Sequence, residues 1–177
     1  MPFRADSGPR RPDRALAFLR IVTGLWFLKS LITKFTWTSV GVLIVPHVSQ
    51  RWIDFLPTRL QDYVASNPPE WYRDFRVNHA LPNAKLLAQA TAVGEVAVGL
   101  SLTLGLLTLL GSLGGLWLVL NYFFASLGQG FNQEGFHVLL MACFVVFIGA
   151  RAGRRWGLDG WLRRRHPRSI LARLPLG

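Results

Sequence analysis

Apolar residues dominate four stretches of this 177-residue chain, and polar residues gather between those stretches rather than alternating within them. Residues 86–128 carry a single charge, Glu95, in 43 positions. One helix of that length would be about 65 Å long at ~1.5 Å per residue, roughly twice the ~30 Å hydrocarbon core of a bilayer. The segment therefore crosses twice, and Gly105, Gly111, Gly114 and Gly115 place the reversal near 105–110. With the runs on either side, the pattern predicts spans over 14–35, 84–104, 109–127 and 132–150, with Asn83 and Asn132 as helix N-caps. The fold class is an all-α integral membrane protein, a four-transmembrane-helix bundle. Residues 36–82 are long for a structureless connection and contain Trp37, Trp52, Tyr63, Trp71 and Tyr72, with amphipathic stretches such as 52–63. This extended outer loop is expected to fold into short interfacial helices over the outer surface.

Charge sets the orientation. Residues 1–20 hold five Arg against two Asp, residues 150–177 hold eight Arg against Asp159, and 36–82 balance four Arg with four acids. That is the positive-inside pattern, with both termini cytoplasmic and the long loop outside. The net charge of +11 would suit nucleic acid only if it were spread along a face or stripe, so the partner implied is the lipid bilayer and no nucleic acid is expected. Residues 1–13, with Pro2, Pro9, Pro12, Arg4, Arg10 and Arg11, read as a disordered basic arm. Residues 156–177 mix Trp156, Leu158, Trp161 and Leu162 with Arg163, Arg164 and Arg165, and read as an amphipathic tail on the inner leaflet. The Arg-rich start resembles a secretory signal, but no small-residue cleavage site follows, so it is read as an uncleaved first span. Cys143 stands alone, which excludes an intrachain disulfide and a dithiol relay. C-x-x-C-H, H-E-x-x-H and glycine-rich phosphate-loop motifs are all missing, leaving no protein-based haem, flavin or metal signal.

Depth and helical face then select candidate chemistry. On the second span Ala88, Ala92, Gly99 and Thr103 share a face with Glu95, and the third carries Gly111, Gly114, Gly115 and then Asn121 near one side. Small residues let membrane helices approach closely, so Glu95 points inward. It follows Lys85 by ten residues, or about 15 Å, which is close to mid-membrane, where ionisable groups are expensive and mark function. Lys29, Lys34, Asn121, Tyr122, Glu134 and His137 join it in the outer half, so four helices bring polar groups to one side while the inner half has almost none. Lys29 or Lys34 is the expected ion-pair partner. Plainer roles exist for each: Glu134 complements a helix dipole, Lys34 snorkels, His137 packs, Asn121 ties helices together and Tyr122 belongs to an aromatic belt. Jointly they can hold a quinone head by hydrogen bonds to its two carbonyls. Glu95 and His137 are then the catalytic proton carriers, and Lys29, Lys34, Asn121, Tyr122 and Glu134 the binding groups.

The string Leu19-Arg20-Ile21-Val22-Thr23-Gly24-Leu25-Trp26-Phe27-Leu28, with Lys34, resembles the opening of the DoxX/DoxD family. Gly94-Glu95 followed by Val96-Ala97-Val98-Gly99-Leu100 is similar to that family's second helix. Gly153-Arg154-Arg155-Trp156-Gly157-Leu158-Asp159 resembles the basic-then-Leu-Asp end of its fourth. The resemblance covers about residues 15–162, interrupted by an outer loop longer than simple members have. It implies a four-helix inner-membrane protein. In the DoxD branch it implies the small membrane subunit of a thiosulfate:quinone oxidoreductase, which passes electrons from thiosulfate to quinone and yields tetrathionate. Glu95 and Lys34 match the family pattern. The first expectation is thus a quinone-linked oxidoreductase subunit whose loop 36–82 meets the donor or another protein subunit. The alternative is a non-catalytic accessory subunit of a larger respiratory or photosynthetic complex, docked through loop 36–82 and the transmembrane faces; the missing redox centre favours it. A small-solute or proton carrier has Glu95 in its favour but lacks an inverted repeat.

Overall fold

The computed structural model describes residues 11–65 and 69–166, so most of the expected basic arm and the end of the expected tail lie outside the described residues. In chain order the elements are α1 (Arg11–Leu28), α2 (Ser30–Thr33), β1 (Phe35–Val40), β2 (Leu43–Val48), α3 (Gln50–Ala65), α4 (Glu70–Phe75) and a π-helical turn (Arg76–Ala80). They continue with α5 (Ala84–Leu104), α6 (Thr108–Ser126), α7 (Phe131–Ala150), a 3₁₀ turn (Ala152–Arg154) and α8 (Leu158–Arg165). Among the described residues, four helical stretches are long and apolar enough to cross a membrane: Asp13–Thr33, Ala84–Leu104, Thr108–Ser126 and Phe131–Ala150. α1 packs on α5, α5 on α6, α6 on α7 and α7 back on α1, closing an all-α membrane bundle around Phe27, Val98, Leu102, Val119, Phe144 and Phe147.

Small residues set how closely the helices meet. A Cβ on Gly24 would strike the backbone of Thr103, and one on Gly99 would strike that of Leu28, so α1 and α5 touch nearly backbone to backbone. Gly111 faces Ser101 of α5, whereas Gly115 faces Phe144 of α7. The third span therefore uses its glycines on two sides, not one. Leaving the helix N-caps to asparagine also fails at α7. The chain enters α7 through Gly130, at φ 136°, so Asn132 lies in the first turn. Asn83 does precede α5, but its side-chain N–H donates to the His79 carbonyl at 2.9 Å.

One end of the bundle carries the segment from β1 to the π turn and is called the capped end below; the other carries α8 and is the terminal end. Part of the capped end departs from expectation. Residues 35–48 form an antiparallel hairpin, with Phe35 opposite Val48 and Val40 opposite Leu43, instead of an interfacial helix. Its Thr, Val, Ile and Trp content favours a pleated strand, and Gly41, at φ 63°, makes the turn. α3 and α4 are helical as expected, and α3 lies on α5.

The terminal end corrects a second expectation, that this half of the bundle has almost nothing polar. Arg20 is fully buried and donates to the Trp156 carbonyl at 2.9 Å. Asp159 accepts from the Leu107 N–H (2.8 Å), the Thr108 N–H (2.9 Å) and the Thr108 hydroxyl (2.7 Å). The Asp159 N–H in turn reaches the Gly105 carbonyl at 2.8 Å. α8 is thus docked onto the α5–α6 turn, not merely laid along a leaflet. Its acid caps α6 because Leu107, at φ 51°, leaves that helix start without a local cap.

Candidate functional site

Glu95 lies midway along α5, on the face that holds the buried Ala88 and Ala92. Lys34, just past α2, donates to Glu95 Oε2 at 2.6 Å, and the Tyr122 hydroxyl of α6 donates to Oε1 at 2.7 Å. Both carboxylate oxygens are therefore engaged by charged or hydroxyl donors, with the Lys34 and Glu95 side chains only 14% and 12% exposed. Lys34 Nζ also sits 4.1 Å from the Trp52 ring centroid, a cation–π contact. The Trp52 indole N–H donates to the Ala88 carbonyl at 2.9 Å, which fixes α3 over α5 at the depth of the ion pair.

This triad stands at one side of a cavity of about 670 Å³, within the ~300–1,000 Å³ range usual for small-molecule sites. α3 covers it with Trp52, Phe55, Leu56 and Leu60; α5 and α6 supply Leu87, Ala90, Trp117 and Leu118. The walls are mostly apolar and the polar groups few, the composition that orients an amphiphilic ligand. Glu95, Tyr122 and His137 also line a smaller cavity of about 150 Å³ that reaches Trp26 and Phe27 of α1. They form the partition between the two. An apolar groove of about 640 Å³ runs along α5 and α6 from Leu107 and shares Trp117 and Leu118 with the main cavity.

Of the seven residues singled out by depth, the structure brings five together. Lys34, Glu95, Asn121, Tyr122 and His137 all line the main cavity. His137 is buried, its Nδ1 3.0 Å from the Ser126 hydroxyl and its ring 6.2 Å from that of Tyr122. Asn121 donates its side-chain N–H to the Trp117 carbonyl (2.8 Å), while its backbone carbonyl accepts from the Tyr72 hydroxyl (2.9 Å). The other two stand apart. Lys29 does not reach Glu95; its Nζ lies 4.0 Å from the Trp26 ring centroid. The Glu134 carboxylate accepts from the Gly128 N–H at 2.9 Å and closes the α6–α7 turn, because its position in the first turn of α7 aims it back along the chain.

Sequence reasoning missed the capping residues that complete the cavity: Trp52, Tyr63, Tyr72 and Arg76. The amphipathic stretch at 52–63 was the available signal, but it reads equally well as a surface helix. Arg76 gave none, since an arginine in a charge-balanced loop looks solvated. It is only 1% exposed, with Tyr63 and Tyr72 rings 4.9 and 4.7 Å from its guanidinium carbon. Burial lifts the Tyr72 phenol above the usual tyrosine range, with Arg76 pulling in the opposite direction, so Tyr72 remains a hydrogen-bond donor.

A family model described as DoxX matches residues 15–127. No curated protein and no solved structure matches the chain. The matched residues run from α1 through α6 and contain Lys34, Glu95 and Tyr122; His137 lies beyond them.

Proposed function

This chain belongs to the DoxX family, and from that premise we propose that it is the membrane subunit of a quinone-linked oxidoreductase, holding a quinone head in the cavity at the capped end. The observation that carries this reading is a carboxylate gripped by an ammonium and a phenol at the edge of an apolar, amphiphile-sized cavity in the membrane half nearest the cap. The lining fits the group: the Lys34 ammonium has N–H groups beyond the one given to Glu95 for a carbonyl oxygen, and the apolar walls suit a ring and its methyl groups. The groove along α5 and α6 offers a seat for an isoprenoid tail.

When bound, a quinone supplies the two-electron, two-proton acceptor of the reaction. Lys34 would orient a carbonyl, and Glu95, hydrogen-bonded to Lys34 and Tyr122, would pass protons between them. His137 and Ser126 extend that path towards the α6–α7 turn. Trp52 and α3 keep bulk water from the pair. In the DoxD branch the donor would be thiosulfate: two ions join through a new S–S bond to give tetrathionate, and the two electrons released, with two protons, convert quinone to quinol. The electron donor or a donor-binding subunit would meet the capped end, facing outward in a plasma membrane with both termini cytoplasmic.

The test is what leaves a native membrane with the protein in mild detergent. Stoichiometric quinone, displaced by added short-chain quinone, is the expected result; wild-type protein free of quinone and unable to take it up would overturn the reading.

One observation favours the second reading, an accessory subunit. Trp37, Val42, Leu43, Ile44 and Val45 of the hairpin are all exposed, and a two-stranded hairpin is marginal by itself. Such a surface suits burial against another subunit, and a fixed place in a multisubunit particle without quinone turnover would establish it.

A further inference from the structure

Arg76 is a buried charge with unused donors. Its Nε and Nη1 have no hydrogen-bond partner among the described residues, although the side chain is 99% removed from solvent and lines the main cavity. The described residues hold two ion pairs, Lys34–Glu95 and Arg59–Asp62, and Arg76 is in neither. Tyr63 and Tyr72 lie close to the guanidinium, and their rings, with a side-chain hydrogen bond to Tyr72, offset part of its desolvation without reaching Nε or Nη1. An unmade charged hydrogen bond is expensive; Arg20 at the terminal end also has Nε and Nη1 unpartnered, but unlike Arg76 it lines neither the main cavity nor the groove.

The charge in the cavity points the same way. Its lining includes Lys34, Arg59 and Arg76 against one carboxylate, Glu95; Lys34 pairs with Glu95 and Arg59 with Asp62, which leaves Arg76. What remains is a positive charge at the wall of an apolar chamber, its free N–H groups just beneath the lining.

We infer that the cavity contains an anion subsite centred on Arg76, separate from the Lys34–Glu95–Tyr122 triad, and that it takes the oxyanion of a carboxylate or phosphate. The anion comes either from a lipid headgroup reaching in from the bilayer, or from a free small ion entering at the cap. A guanidinium suits this role because its fixed N–H groups match the acceptor geometry of carboxylates and phosphates. The inference does not depend on quinone binding, since Arg76 touches none of the triad.

Full-length protein supplies the test, with thermal unfolding read in two arms. In one, detergent-solubilised protein is titrated with inorganic phosphate at constant ionic strength. In the other, the protein is placed in phosphatidylcholine nanodiscs with and without phosphatidylglycerol. Arg76→Gln is compared with Arg164→Gln, a control for the basic terminal end. Stabilisation of wild type by phosphate identifies a free anion; stabilisation by phosphatidylglycerol alone identifies a headgroup. In either case Arg76→Gln should weaken the apparent affinity by roughly 10- to 100-fold, the worth of a charge-assisted hydrogen bond, with Arg164→Gln unchanged. Wild type indifferent to both anions would overturn the inference whether or not the variant folds. So would a response that Arg76→Gln retains in full, or one that Arg164→Gln abolishes. Quinone content measured on the same samples reports separately on the triad.

Discussion

Glu95 is the residue on which function turns, and its surroundings specify how it should respond to change. Glu95→Gln keeps the shape and leaves an oxygen for Lys34, so the bundle should assemble in normal yield. Quinone reduction should nevertheless fall by roughly 10²-fold or more, as expected when a positioned acid or base is lost. Rate and complex yield are to be measured on one preparation, and full activity with full assembly would remove Glu95 from the chemistry. Stability tests the ion pair independently. Glu95→Leu strands the Lys34 ammonium, a nearly buried charge, and should lower stability by up to about 3 kcal/mol. Adding Lys34→Met should recover most of that loss in the thermal midpoint, because an apolar pair replaces a broken one. The remainder belongs to the Tyr122 hydroxyl, left without its acceptor. A double variant no more stable than Glu95→Leu would mean that the two side chains are not coupled.

At the scale of elements, the bundle is held at its terminal end by a cap supplied from far along the chain. α6 begins after Leu107 in a left-handed conformation, and its first N–H groups are satisfied by Asp159 of α8, more than fifty positions away. Asp159→Ala should therefore destabilise by about 3 kcal/mol, since it leaves two backbone donors and a hydroxyl unpaired at once. Asp159→Asn should lose less, because its amide oxygen still accepts. Unfolding followed by helix circular dichroism in detergent provides the measure, and an unchanged midpoint in Asp159→Ala would contradict this account of the cap. Gly157 reinforces the docking: a Cβ there would strike the Gly153 carbonyl and Gly105, so α8 closes on the turn only without a side chain. At the capped end, Trp52 does the equivalent for α3, joining its indole to the Ala88 carbonyl and its ring face to Lys34.

For the whole molecule, the testable quantity is orientation. In a Cys143→Ser background, a cysteine at Val42, on the exposed hairpin tip, should react with an impermeant maleimide added outside intact cells. One at Arg164 should react only after the membrane is opened. The reverse pattern would move the cavity to the cytoplasmic half and with it any partner. The bundle closes α1, α5, α6 and α7 into one ring, so the site is a product of all four spans plus the cap.

The number of spans, their approximate limits and the inward face of α5 were legible in the sequence, because bilayer thickness turns hydropathy into length and an isolated acid stands out against an apolar run. Depth alone grouped Glu95 with Lys34, Tyr122, Asn121 and His137, since a polar residue in a span has few places to go. It equally grouped Lys29 and Glu134, which the fold sends to the Trp26 ring and the Gly128 N–H, because depth fixes height along the bundle but not direction around it. The packing of Arg76 on Tyr63 and the reach of Asp159 to Leu107 depend on contacts across 13 and 52 positions. No local pattern encodes contacts of that kind. Only the packing of the cap and of α8 against the bundle decided which loop charges stay in water and which become part of the interior.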